Sequence, residues 1–137
     1  MNPFSRLYRI ADGLRYLKHA DIGRHGEDLA HRWLRAKGFR VVARNWRPPQ
    51  GGGEVDIIAW EGDCLVFIEV KTRATDLWAA PERDVDHEKM QALRRAARDY
   101  IRRANADATR VRFDAISITA RRIEHLRDAF AATEAPR

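Results

Sequence analysis

The sequence predicts an α/β fold, a mixed central β-sheet flanked by helices, with its elements in the order α-β-β-β-α-β-β. Three observations carry that prediction. Two stretches, about 22–37 and 86–103, repeat apolar residues at the helical period. Five shorter stretches, about 39–44, 54–60, 64–71, 110–118 and 122–126, have strand character. The second and third of these are joined only by Glu61-Gly62-Asp63, a hairpin connection. A chain of 137 residues is long enough for one domain with a real core.

Residues 1–20 read as an appendage. Phe4, Leu7, Tyr8, Ala11, Leu14 and Leu17 recur at helical spacing, with Arg6, Arg9, Arg15 and Lys18 among them. That pattern fits a short helix packing on the domain; an arm for a partner or a membrane surface is the alternative. The domain, 21–130, opens with a helix whose apolar face is Leu29, Ala30, Trp33 and Leu34. Gly38 stands just past its C-terminus, where a left-handed residue ends helices. After the first strand, Pro48-Pro49-Gln50-Gly51-Gly52-Gly53 cannot continue regular structure and forms a loop. Asp86 can cap the second long helix, whose apolar stripe is Met90, Leu93, Ala97, Tyr100 and Ile101. Strand four alternates Val111, Phe113 and Ala115 against Arg112 and Asp114. A short fifth strand follows, and 131–137 is a frayed tail.

Composition narrows the function. The chain has 26 Lys and Arg against 20 Asp and Glu, a net charge of +6, which favours a polyanionic partner such as nucleic acid or an anionic surface. A single cysteine, Cys64, excludes an intramolecular disulfide, argues against a cysteine zinc site and fits a reducing cytoplasm. Its place at the start of an apolar strand reads as buried and inert. No run approaches the ~20 apolar residues of a membrane span, and the opening residues lack the apolar core of a secretory signal.

The residues with chemical interest lie on strands two and three. Glu69 and Lys71 project from one face, about 6.7 Å apart along the strand. Leu65 and Phe67 share that face, and Val66, Ile68 and Val70 occupy the other. A strand apolar on both faces is central, so these charges are partly desolvated, which is costly unless they are paired or bind a metal. The hairpin puts strand two beside strand three, so Asp56 approaches Glu69 if the faces match. Two carboxylates suit a hard cation such as Mg²⁺, which would polarise a phosphoryl oxygen and acidify a water. Lys71 can orient or deprotonate that water. An ordinary ion pair between Glu69 and Lys71 is the bland reading; Asp56, the apolar flanks and the basic chain weigh against it.

Other candidates are less defined. Glu27, in the first turn of the first helix, reads equally as a fourth ligand and as a complement to the helix dipole. Glu54 is a strand-edge charge more than a ligand. Arg73 follows the site and can touch phosphate or cap the strand; Lys89 faces the site or water. Arg94, Arg98 and Arg102 are spaced four apart along the second helix, away from its apolar stripe, with Arg95 beside them. His25, His31, His87 and His125 show no ligand spacing and default to solvated surface, and His19 belongs to the appendage. Trp46, Trp60 and Trp78 can stack on bases, but core packing is the stronger reading.

The combination Gly26-Glu27-Asp28-Leu29-Ala30, Gly38-Phe39, Arg44-Asn45-Trp46-Arg47, Gly53-Glu54-Val55-Asp56-Ile57-Ile58 and Leu65-Val66-Phe67-Ile68-Glu69-Val70-Lys71-Thr72-Arg73 resembles the YraN-type family of bacterial proteins. Lys89, Arg112-Phe113-Asp114 and Ala129-Phe130 fit as well, so the resemblance spans about 22–130. That family is similar to the PD-(D/E)xK nucleases, especially archaeal Holliday-junction resolvases. The resemblance implies a restriction-endonuclease-like core, metal coordination by Asp56 and Glu69, Lys71 as catalytic lysine and Glu27 as the helix-borne acid. Val55 stands where many of those nucleases carry proline, as is usual in the YraN-type branch.

The sequence therefore points to a Mg²⁺- or Mn²⁺-dependent endonuclease acting on DNA rather than RNA, with branched or recombination intermediates as substrates. Arg94, Arg95, Arg98 and Arg102 would contact phosphates. The resolvase resemblance implies a homodimer, since junction resolution needs two symmetric cuts. A non-catalytic nucleic-acid-binding module and a protein-interaction adaptor are the competing readings.

Overall fold

The computed structural model describes residues 19–72, 87–119 and 122–129, with backbone only for 19–24, His87 and Lys89. In chain order these form helix α1 (His19–Ala36), strands β1 (Arg40–Trp46), β2 (Val55–Glu61) and β3 (Cys64–Thr72), helix α2 (His87–Ala104), and strands β4 (Arg110–Ile118) and β5 (Ile123–Leu126). This is the predicted order, with boundaries moved by a few residues. The stretches predicted as an appendage (1–20, apart from the start of α1), the cap Asp86 and the tail 131–137 lie outside the described residues.

Helix α1 stops where the sequence says it should. Gly38 takes φ +93°, and the Phe39 and Gly38 amides donate to the carbonyls of Leu34 and Arg35. The β2–β3 connection is tighter than expected. Glu61 pairs with Cys64, so only Gly62 and Asp63 turn, and Gly62 supplies φ +58°.

The five strands form one sheet in the order β1-β2-β3-β4-β5, which puts β3 at its centre. Only β3 and β4 run parallel; the other pairs are antiparallel. The sheet is therefore mixed, with a helix against each face, as in a restriction-endonuclease-like core. Leu29, Ala30 and Leu34 of α1 pack with Ile57, Val66, Ile68 and Ile116 on one face. Met90, Leu93 and Ala97 of α2 pack with Ile58, Leu65 and Phe67 on the other. Each buried Leu, Ile, Val, Met or Phe side chain among these contributes about 1.5–3 kcal/mol. Among the described residues no helix is long and apolar enough to cross a membrane.

Strand β4 departs from the predicted alternation. Val111, expected inward, is 43% exposed, while Asp114, grouped with the outward charges, is 0% exposed. Both faces of β4 are covered around Asp114, so its carboxylate is buried on the α1 face and satisfied there. Arg112 donates two hydrogen bonds to it at 2.8 and 2.9 Å, the Asp128 amide a third at 2.9 Å, and His125 Nε2 lies 2.8 Å away. His125 is thus a buried partner and not the solvated histidine expected; strand β5 sets it beside Ile116, facing Asp114.

Candidate functional site

The hydrogen-bonded ladder between β2 and β3 ends at Ile57 opposite Ile68. One residue further out stand Asp56 and Glu69, on the face that carries Ile58 and Phe67. Here a side chain replaces the ladder: the Val70 amide donates to Asp56 Oδ2 at 2.8 Å. Lys71, on the same face as Glu69, holds its Nζ 4.0 Å from Glu69 Oε1, with both side chains partly buried. The trio therefore sits at one end of the sheet, at the close of its central strand.

Glu27 reaches the same end from α1, and a glycine makes this possible. Gly26 is buried against Thr72; a Cβ at residue 26 would meet the Thr72 Cγ2 at 2.0 Å. Only a residue without a side chain lets the first helix approach the end of β3 so closely. Arg44, on β1 opposite Ile57, holds the acids of that helix, with its guanidinium 2.8 Å from Asp28 and 3.8 Å from Glu27.

Electrostatics ties these groups together. The Asp56 carboxyl is pushed up to about 6, chiefly by burial, and the negative charges of Glu27, Glu69 and Glu54 push the same way. The Val70 hydrogen bond pulls it down but does not prevail. An acid raised by burial and by neighbouring acids is relieved by a cation placed among them. The donors are all carboxylate oxygens, the chemistry a hard divalent ion prefers. They are not drawn into a finished cage: among the described residues no three acidic, histidine or cysteine groups stand close enough to hold an ion without rearrangement.

The other predicted residues divide. Glu54 is an edge charge paired with Arg47 at 2.6 Å. On α2, Arg95 and Arg98 are exposed and Arg94 is half-buried. Arg102 is exposed but bonded, with Arg103, to the buried Asp99, which offsets part of its charge. Arg73 and the side chain of Lys89 lie outside the described residues, as does Trp78. Trp46 and Trp60 pack against the α2-side core, Trp46 edge-on to Tyr100 at 5.5 Å. Cys64 is buried, and burial pushes its thiol up, away from the reactive thiolate. His31 is held below its ordinary value by burial and by Arg44 and Arg35.

Two contributors were missed in the sequence. Arg44 is one arginine among many, and only the pairing of β1 with β2 sets it beside the acids of α1. Gly26 carries a weak signal, a glycine inside a helical pattern, which usually has a packing reason.

Residues 26–118 match the model of the uncharacterised protein family UPF0102. The chain belongs to that family. A UPF0102 protein of Solibacter usitatus is 52% identical over 128 residues, covering 90% of this chain and 97% of its own. One from Nitratidesulfovibrio vulgaris is 45% identical over 121 residues, covering 85% and 88%. One from Koribacter versatilis is 48% identical over 101 residues, covering 74% and 70%. The UPF0102 match takes in Glu27, Asp56, Glu69 and Lys71 together with the strands and helices that present them.

Proposed function

We propose that the protein is a divalent-metal-dependent endonuclease acting on DNA. The observation that carries this reading is the half-buried, raised Asp56 carboxyl in the field of Glu69 and Glu27, with Lys71 alongside. Asp56 and Glu69 would hold Mg²⁺ or Mn²⁺, with Glu27 completing the oxygen set through the ion or through its waters. When bound, the ion would polarise the scissile phosphoryl oxygen and acidify a water. Asp56 and Glu69 fix the charge balance of the site. Lys71 offsets negative charge at the attacked phosphate and orients the water for in-line attack. Arg94, Arg95, Arg98 and Arg102 of α2 would supply phosphate contacts, with Arg73 and Lys89 as further candidates. A cytoplasmic protein working on branched DNA as a homodimer fits the resolvase resemblance.

The test is cleavage of a labelled four-way junction, flap, single strand and duplex with Mg²⁺ or Mn²⁺. Wild type should cut at least one, and Glu69→Ala and Lys71→Ala should lose at least ~100-fold in rate while still binding it. Salt-sensitive binding with no cleavage of any substrate would replace this reading with a binding module. Equal cutting by all three proteins would mark a contaminant.

A further inference from the structure

Strand β4 places one more polar group at this site. Ser117 stands in register with Lys71 across the parallel β3–β4 pair, as Ala115 does with Glu69. Residues opposite one another in a ladder project from the same face, so the Ser117 hydroxyl lies beside the Lys71 stem. Ser117 is only 4% exposed, and its buried Oγ has no hydrogen-bond partner among the described residues. A buried hydroxyl without a partner is destabilising, and such groups are rare in folded proteins. Ala115, two residues earlier on the same face, is a small apolar residue in the equivalent setting, so packing alone does not call for a hydroxyl at 117.

We propose that Ser117 is a positioning residue for Lys71, its Oγ accepting a hydrogen bond from the Lys71 ammonium when Glu69 is engaged by a cation. In the structure Nζ leans toward Glu69 Oε1 at 4.0 Å. A cation on Glu69 cancels much of that attraction, and the Ser117 hydroxyl, in register with the flexible four-carbon stem, then helps to hold the ammonium at the site. Ser117 offers a neutral one that does not tie the ammonium up in an ion pair. Its own O–H can turn to donate toward Glu124, its register partner on β5, whose carboxylate lies 3.1 Å from Arg122. The role in catalysis rests on the nuclease reading; the contact with Lys71 does not.

Two measurements on the full chain separate those dependencies. The first needs no activity. In a Glu69→Gln background, which removes the competing carboxylate charge, urea unfolding is measured for Ser117→Ala, Lys71→Ala and the double variant. The proposal expects non-additivity of at least ~3-fold in the folding equilibrium constant, with Ser117→Thr behaving as serine. Additive effects would overturn it whether or not the protein cleaves DNA. The second uses Mn²⁺ and the substrate found by the cleavage panel. Ser117→Ala should lower kcat about 5- to 10-fold with KM nearly unchanged, Ser117→Thr should restore it, and Ser117→Ala should cost nothing further in Lys71→Ala. An equal loss with and without Lys71 would refute the positioning role. If wild type cuts nothing, the nuclease reading fails and the first measurement still decides the contact.

Discussion

Two aspartates in this sheet are shielded from water, and they behave in opposite ways. Asp114 is fully buried on the α1 face, yet its carboxyl is held below the ordinary aspartate range. Burial alone would raise it; the His125 contact, the two Arg112 hydrogen bonds and the Asp128 amide outweigh that. Asp56 keeps some contact with water, yet rises to about 6. It has one backbone donor and three acids within electrostatic reach. The difference is compensation, not burial. Asp114 is a finished ion, surrounded by donors and a guanidinium, and it pins β4 to β5 and the turn beyond. Asp56 is an unfinished one among the described residues, and the cation of the proposed function would supply the missing positive charge.

The sharpest way to break that comparison is to remove each charge. Asp114→Ala leaves His125 without its acceptor and Arg112 with Glu61, 2.9 Å away, as its remaining partner, and should destabilise the fold by about 3 kcal/mol. Asp56→Asn keeps an oxygen for the Val70 amide and removes a charge that its neighbours oppose, so stability at pH 7 should hold or rise. Urea unfolding of the two variants gives both numbers, and a large loss in Asp56→Asn would refute the contrast.

The same comparison predicts opposite responses to pH. A carboxyl raised on folding binds its proton more tightly in the native state. Its contribution is therefore fullest below the unfolded value of 3.8 and declines as pH rises to about 6. Asp56→Asn abolishes that decline. The variant's stability relative to wild type should climb between pH 4 and 6, by at most on the order of 2–3 kcal/mol, and then level off. Asp114, held low, works the other way: its contribution is present above the ordinary aspartate value and disappears as pH falls through its lower native value. A pH series of urea midpoints for wild type and Asp56→Asn checks the first sign directly.

A divalent ion tests whether Asp56 is unfinished in the sense argued. At one hundred times its dissociation constant, Mn²⁺ should stabilise wild type by about 2.7 kcal/mol. The gain should vanish in Asp56→Asn and in Glu69→Gln, and it should persist in variants on the Asp114 side of the sheet that still fold, such as Arg127→Ala, whose guanidinium lies over Phe39 of the α1-side core. Thermal unfolding with and without the ion reads this without any nuclease assay. A shift that survives in Asp56→Asn would place the ion elsewhere.

The contrast between the two aspartates also explains what could be read from sequence. The Asp56 end was legible because its signals are local. Gly62 marks the turn between β2 and β3, the period of two puts Glu69 and Lys71 on one face, and the hairpin carries Asp56 to them. Helix α2 was equally plain from its periodicity. The Asp114 cluster was hidden because nothing local announces it. Arg112 lies two residues away, His125 comes from β5, and the third donor is a backbone amide that no sequence pattern marks. Alternation made Asp114 an outward charge; only the coverage of both faces of β4 turns it inward.

Gly26 offers the finest test, because it acts on the unfinished end through shape alone. Ala at this position is favourable for a helix by about 1 kcal/mol over glycine. Against that gain stands the Thr72 methyl, which a Cβ would meet at 2.0 Å. Overpacking of this kind costs about 1–3 kcal/mol, so Gly26→Ala should be destabilising by a modest net amount, and α1 should shift away from the end of β3. Glu27 moves with the helix, which predicts weaker Mn²⁺ stabilisation in Gly26→Ala even at temperatures where it stays folded. Thr72→Ser deletes the offending methyl. Combined with Gly26→Ala it should recover both stability and the response to the ion, leaving the helix propensity of alanine as a small net gain. If Gly26→Ala instead leaves both quantities unchanged, the close approach of α1 to β3 is not what brings Glu27 to the acids.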